Sequence, residues 1–236
     1  MLTQVPLELE CSYIGGKWLK KANDHIVVFN PATLNPIGRI PNFGQSETVE
    51  AISSAETAFS HWSSRAPEHR ADLLWRLHKE LLERSDWLAS LITLENGKPL
   101  REARAEVKYA AAYVRWFAEQ TRRIDGDIIG TGAEFNRRLV VKRPVGVVAL
   151  ITPWNFPLAM ITRKLAAALA AGCTAVIKPS ELTPFSTIAL TRIVSEVGFP
   201  TGTVNVVCGY PQPIGEVFCN AIISSTFCFV FINLIA

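Results

Sequence analysis

The 236-residue chain has little with which metals or disulfides could hold it together. Its five cysteines, Cys11, Cys173, Cys208, Cys219 and Cys228, are odd in number, and no two share C-x-x-C spacing. That spacing argues against a disulfide framework and against a metal site. The thiols are expected to act as small hydrophobes in a reducing compartment. Histidine is scarce as well: His25, His61, His69 and His78 all fall in the first third, and none sits in a metal-ligand motif. No G-x-G-x-x-G string follows an apolar run. An excess of one charge is missing too, since 24 basic and 21 acidic residues leave a formal net charge of +3. The densest basic clusters, Arg122-Arg123 and Arg137-Arg138 with Lys142 and Arg143, read as solvated faces or a subunit contact. Nucleic-acid binding is therefore not expected. The amino terminus has no basic start followed by an apolar run, so no secretory signal is expected and the cytoplasm is the default compartment.

What the chain does have is apolar material, 49% of residues against 19% charged, enough for a sizeable core. Residues 11–45 read as short extended pieces between turns, with Tyr13-Ile14 and Ile26–Phe29 strand-like. Helical spacing follows over 47–62, carried by Val49, Ile52, Ala55, Ala58 and Phe59. A second helix opens at Pro67, with a break expected near Ser85-Asp86, and stops at Glu95-Asn96-Gly97-Lys98-Pro99. A third runs from about Leu100 to Ile124. After an Ile128-Ile129 piece and an exposed strand over Leu139–Arg143, the period changes. Val145–Ile151, Thr174–Ile177 and Val204–Val207 are apolar runs of the kind buried on both sheet faces. Between them lie a helix over 158–171 closed by Gly172, and one opened by a Thr183 cap and Pro184 and closed by Gly198. This alternation predicts an α/β fold with a doubly wound parallel sheet.

Such sheets bind ligands beyond the carboxyl ends of their strands. Two loops lie there, Thr152-Pro153-Trp154-Asn155-Phe156-Pro157 and Lys178-Pro179-Ser180-Glu181. Asn155 either donates its amide to a developing oxyanion or caps the following helix. Lys178 and Glu181 either bind ribose hydroxyls or are ordinary loop charges. A carboxylate at Glu181 would repel a 2′-phosphate, favouring NAD over NADP. Gly209 and Gly215, after the third strand, would let backbone approach a pyrophosphate. Arg163, beside Lys164, reads from spacing alone as helix surface.

The strings TPWNFP, ALAAGCTAVIKPSELTPFS and GFPTGTVNVV resemble the NAD(P)-dependent aldehyde dehydrogenase superfamily. GKPLREARAEVKYAAAYVRWFAEQTRRIDGDII and PWNFPLAMITRKLAAALAAG are similar to its succinate-semialdehyde branch. The resemblance runs over roughly 11–216. It implies oxidation of an aldehyde acid, most directly succinate semialdehyde, with NAD or NADP. It implies that Thr152, Pro153, Trp154, Lys178, Ser180, Glu181, Gly209 and Gly215 lie at the cofactor, that Asn155 is half of an oxyanion hole, and that Arg163 holds the substrate's far carboxylate. No metal is implied. The family mechanism attacks the aldehyde with a cysteine thiolate, passes hydride to nicotinamide, and hydrolyses the thioester with a glutamate base.

After Glu216 the family strings for the pyrophosphate turn, the base and the nucleophile do not follow. The expected organisation is an amino-terminal arm and helices of the cofactor domain over 1–125, a bridging and oligomerisation segment over 126–144, an incomplete Rossmann-like unit over 145–216, and a non-family apolar tail over 217–236, with the catalytic domain absent. A fragment that binds cofactor weakly or docks on full-length subunits is the alternative to an enzyme, and a family homo-oligomer would lack part of its interface. The uncharged tail is long enough to span a bilayer, but Asn220, Ser224, Ser225, Thr226 and Asn233 disfavour a membrane segment, and the aromatic and β-branched run Phe227–Ile232 reads instead as an aggregation-prone strand.

Overall fold

The computed structural model describes residues 2–130, 136–223 and 227–229. The chain begins with β1 (Ser12–Ile14), β2 (Lys17–Leu19), β3 (His25–Phe29) and β4 (Pro36–Pro41). Four helices follow: α1 (Gln45–Ser63), α2 (Pro67–Glu83), α3 (Ser85–Asn96) and α4 (Leu100–Gln120). A ribbon of β5 (Asp127–Gly130) and β6 (Arg137–Val140) leads to β7 (Val147–Ile151), α5 (Ala159–Ala171), β8 (Thr174–Lys178), α6 (Phe185–Val197) and β9 (Val204–Val206). The last described elements are α7 (Pro211–Ile223) and β10 (Phe227–Phe229).

The main sheet has the order β10-β7-β8-β9-β1-β2. Its four strands from β10 to β9 are parallel, while β1 joins β9 antiparallel through Tyr13 opposite Val206 and is extended by β2. Alternation along each central strand feeds two cores. Val148, Leu150, Ala175, Ile177, Val204 and Val206 face α2–α6, whereas Val147, Ala149, Val176 and Val207 share a core with Ile52 of α1 and Phe218 of α7. Helices thus cover both faces, which is why these strands read as unbroken apolar runs. From β7 the chain steps through β8 to β9 in one direction. After α7, on the opposite face, it returns to the other side of β7 as β10. The winding reverses between β7 and β10, the kind of position where open parallel sheets leave a crevice at the strands' carboxyl ends.

Several sequence expectations shift. Val49 is 56% exposed, whereas Ile52 and Ala55 are buried as expected, together with Thr48, Ala51 and Trp62 of α1. The helix over 67–96 does divide, at Arg84. β7 starts at Val147 because Gly146 takes a left-handed φ of 115°, leaving Val145 exposed. β2 and β4 are further extended pieces of the 11–45 stretch, beyond the two singled out at Tyr13-Ile14 and Ile26–Phe29. Thr183 does not cap α6: Pro184 is the cap residue, with no side-chain cap bond of its own, and the buried Thr183 hydroxyl finds no partner among the described residues. A carboxylate from α3 does the capping instead. The helix containing Glu216 continues to Ile223, and β10 pairs in register with Val147–Ala149; residues 230–236, most of the apolar tail beyond it, lie outside the described residues. Among the described residues no helix is long and apolar enough to cross a membrane.

Candidate active site

Both loops singled out from the sequence leave the carboxyl ends of neighbouring strands. They are tied at their roots, where Thr152 N–H donates to the Lys178 carbonyl at 3.3 Å. Lys178, the last residue of β8, is buried, and its ammonium donates to Glu181 Oε2 at 2.7 Å. Burial alone would push the Glu181 carboxyl up; the Lys178 hydrogen bond, a backbone N–H and the Lys178 charge outweigh it and hold the group below its ordinary value. Ser180 shapes the turn, with its Oγ accepting from Leu182 N–H at 3.2 Å. Glu181, Leu182, Thr183, Trp154, Asn96 and Tyr210 are among the walls of a cavity of about 650 Å³. A donor–acceptor pair of opposite charge at a strand end offers the two kinds of partner that the vicinal hydroxyls of a ribose require.

The first loop is held from outside. Pro153, Trp154 and Asn155 are exposed. The Trp154 carbonyl accepts from Asn96 Nδ2 at 2.9 Å, and the Asn155 carbonyl from Lys98 Nζ at 3.0 Å. Asn155 Oδ1 accepts from Phe156 N–H at 3.1 Å, so its side chain does not cap α5. Glu106 takes that role, accepting from the N–H groups of Leu158 and Ala159 at 3.0 and 3.2 Å. Its other oxygen meets Lys98 Nζ at 2.5 Å. Glu95 does the same for α6. It accepts from Phe185 N–H at 2.7 Å and Ser186 N–H at 2.9 Å, and from the Ser186 hydroxyl. Burial pushes the Glu95 carboxyl up to about 7 against those hydrogen bonds, with the Glu106 charge adding a smaller push.

These carboxylates and Lys98 were missed by sequence reading. Glu95-Asn96-Gly97-Lys98-Pro99 carried only a stop signal, and Gly97 does end α3 with φ 77°. The one available hint was Glu106, a charge among the apolar positions Ala103, Val107, Ala110 and Val114 of α4.

The glycines divide. A Cβ on Gly209 would lie 2.2 Å from the Phe43 carbonyl oxygen, so its bare backbone serves packing within the chain. Gly215, inside α7, has open space around it. Arg163 is half-buried on α5, with its guanidinium 5.7 Å from the Tyr113 ring centroid and Nη2 3.7 Å from Met160 Sδ. Its Nε is buried without a partner among the described residues. It lines an apolar cavity of about 640 Å³ with Tyr109, Tyr113, Trp116, Phe117 and Ala167. Tyr109 also borders a cavity of about 320 Å³ shared by Lys98 and Phe156, so Arg163 and the Asn155 loop serve adjoining spaces.

Residues 18–229 match the aldehyde dehydrogenase family. The chain belongs to that family. It is 45% identical over 212 residues to the mouse mitochondrial succinate-semialdehyde dehydrogenase, covering 89% of this chain and 40% of the relative. It is also 45% identical over 205 residues to the Pseudomonas putida glutarate-semialdehyde dehydrogenase, covering 86% and 43%. The crystal structure described as an Escherichia coli NADP-dependent enzyme superposes with TM-score 0.86 at 45% identity, covering 89% of this chain and 44% of that one. The chain spans about two-fifths of the length of the curated relatives it matches. Family membership accounts for the doubly wound sheet, and its match runs through α7 and β10.

Proposed function

We propose that this chain carries the cofactor and oxyanion side of an NAD(P)+-dependent aldehyde oxidation, with an aldehyde acid such as succinate semialdehyde as substrate. The observation that carries this reading is the meeting of the Lys178–Glu181 pair and the Asn155 loop at the carboxyl ends of β7 and β8. In it, Lys178 and Glu181 hold the adenosine ribose, with Trp154 on the same cavity wall. The nicotinamide, when bound, supplies hydride acceptance. The Asn155 carboxamide donates to the oxygen of the tetrahedral adduct.

Arg163 holds the substrate's remote carboxylate. A guanidinium in an apolar cavity, without an ion pair among the described residues, is suited to bidentate contact with such a group. One cation selects for charge and leaves chain length open, in keeping with relatives named for both succinate and glutarate semialdehydes. Glu181 supports NAD+ over NADP+ through repulsion of a 2′-phosphate, and its depressed pKa keeps it ionised at neutral pH.

A second reading, cofactor binding or subunit docking without turnover, takes support from two buried thiols. Burial raises Cys11 and pushes Cys208 up to about 12, which leaves neither as a thiolate near neutrality.

Calorimetric titration with NAD+ and NADP+, followed by an assay for reduced nicotinamide with succinate semialdehyde, tests both readings. Weak binding that prefers NAD+ and disappears in Lys178→Ala is expected. No binding of either nucleotide would sink the proposal. Binding without aldehyde oxidation would select the second reading. If oxidation occurs, Asn155→Ala should lower kcat by roughly 10²–10³-fold.

A further inference from the structure

We infer that the turn between α3 and α4 is a positioning clamp for the candidate site, with Asn96 and Lys98 as its jaws and Glu106 as its anchor. The inference rests on the reading of Asn155 as an oxyanion donor. An oxyanion hole works only if its donor is fixed before charge develops. The Thr152–Pro157 loop is exposed over 153–156, and among the described residues the carboxamide of Asn155 is tied only to the next residue's N–H, so these contacts do not fix it to the rest of the protein.

Fixation comes through the backbone carbonyls. Asn96 Nδ2 takes the Trp154 carbonyl, and Lys98 Nζ takes that of Asn155, the next residue. The Lys98 ammonium has three donors and three places for them: the Asn155 carbonyl at 3.0 Å, Glu106 Oε2 at 2.5 Å, and the face of the Phe156 ring, 4.0 Å away at its centroid. Lys98 is nearly buried, with 12% of its side chain exposed, and Glu106 is almost wholly so at 1%. The other oxygen of Glu106 takes the N–H groups of Leu158 and Ala159, where the loop becomes α5. One buried ion pair therefore grips the loop in its middle and at its end. The turn that presents Asn96 and Lys98 depends on Gly97. Its φ is 77°, and a Cβ there would come 2.8 Å from Pro31 Cγ.

Backbone ¹⁵N relaxation on the full chain, without cofactor or substrate, tests the clamp independently of the reaction. Two variants are compared with the parent. Asn96→Ala removes one jaw. Lys98→Met with Glu106→Gln removes the other while retaining an acceptor for α5 and leaving no unpaired buried charge. The amides of 154–156 are expected to fall from the rigid range, with order parameters about 0.85, to below about 0.6 in the double variant. A smaller loss confined to 154 and 155 is expected in Asn96→Ala. Amides of 147–151 and 174–178 should not change. If the double variant also loosens those strands, Asn96→Ala decides alone. Loop amides as rigid as β7 in the deciding variant would overturn the clamp and leave Pro153 and Pro157 as the source of order. Because no ligand is present, that result would not touch the assignment of Asn155, which Asn155→Ala kinetics test separately.

Discussion

The amino-terminal ends of α5 and α6 are built alike and charged differently. Each helix follows a parallel strand, and each has its first N–H groups closed by a buried glutamate from an earlier helix: Glu106 for α5 and Glu95 for α6. Glu106 has Lys98 against it; Glu95 has no ion pair among the described residues, only N–H and hydroxyl donors. Hydrogen bonds alone do not offset the burial of Glu95, and its pKa rises to about 7. One carboxylate is paired with Lys98 beside the Asn155 loop, while the other can take up a proton near neutrality beside the Lys178–Glu181 loop.

The largest effect should come from breaking the paired end. Lys98→Met strands Glu106 as a buried, unpaired charge and should cost about 3–5 kcal/mol of stability, read from urea denaturation. A loss below about 1 kcal/mol would show that the two N–H groups suffice and that the two ends are equivalent. Next comes the pH profile. The folded state holds the Glu95 proton more tightly than the unfolded chain does. The associated stability is therefore fully present below about pH 4.5 and lost as pH rises through about 7, amounting to ~3 kcal/mol. Glu95→Gln should flatten that window, and an unchanged slope would assign it to other groups. Ser186→Ala, which removes the hydroxyl donor, should cost about 2 kcal/mol and move the midpoint of the profile upward. Asn96→Ala, losing one exposed bond to a carbonyl, should cost only about 1 kcal/mol while leaving the Glu95 profile intact.

The parallel strands and their helices were legible in the sequence because burial on both faces writes long apolar runs, and left-handed glycines at 172 and 198 mark helix ends. The caps were not. Thr183-Pro184 has the local form of a helix start, yet the cap is supplied by Glu95, 90 residues earlier, and nothing local distinguishes such a partner. The same distance hid Lys98, whose targets lie 57 residues on at Asn155 and eight on at Glu106. Val49 misled because the face α1 turns to the core runs through Thr48, Ala51, Ile52, Ala55 and Trp62, which leaves the apolar Val49 beside it on the solvent side. Gly209 looked like a ligand approach because close backbone contact and ligand contact demand the same missing Cβ. The two loops carrying the site residues stood where strand ends predicted them, whereas the groups holding those loops come from helices that carry no site residue of their own.

That long reach has a consequence during synthesis. A ribosome adds about 5–20 residues per second, so Glu95 emerges roughly 5–20 s before Phe185, the first of its partners. Through that interval α3 and α4 exist with their carboxylates facing water, where ionisation carries no penalty. The proton affinity of Glu95 is acquired only when the second half of the chain closes over it. A nascent chain stalled before residue 158 would thus titrate as ordinary surface acid, and the arrival of α5 and α6 would register as a change in proton uptake before any ligand is present.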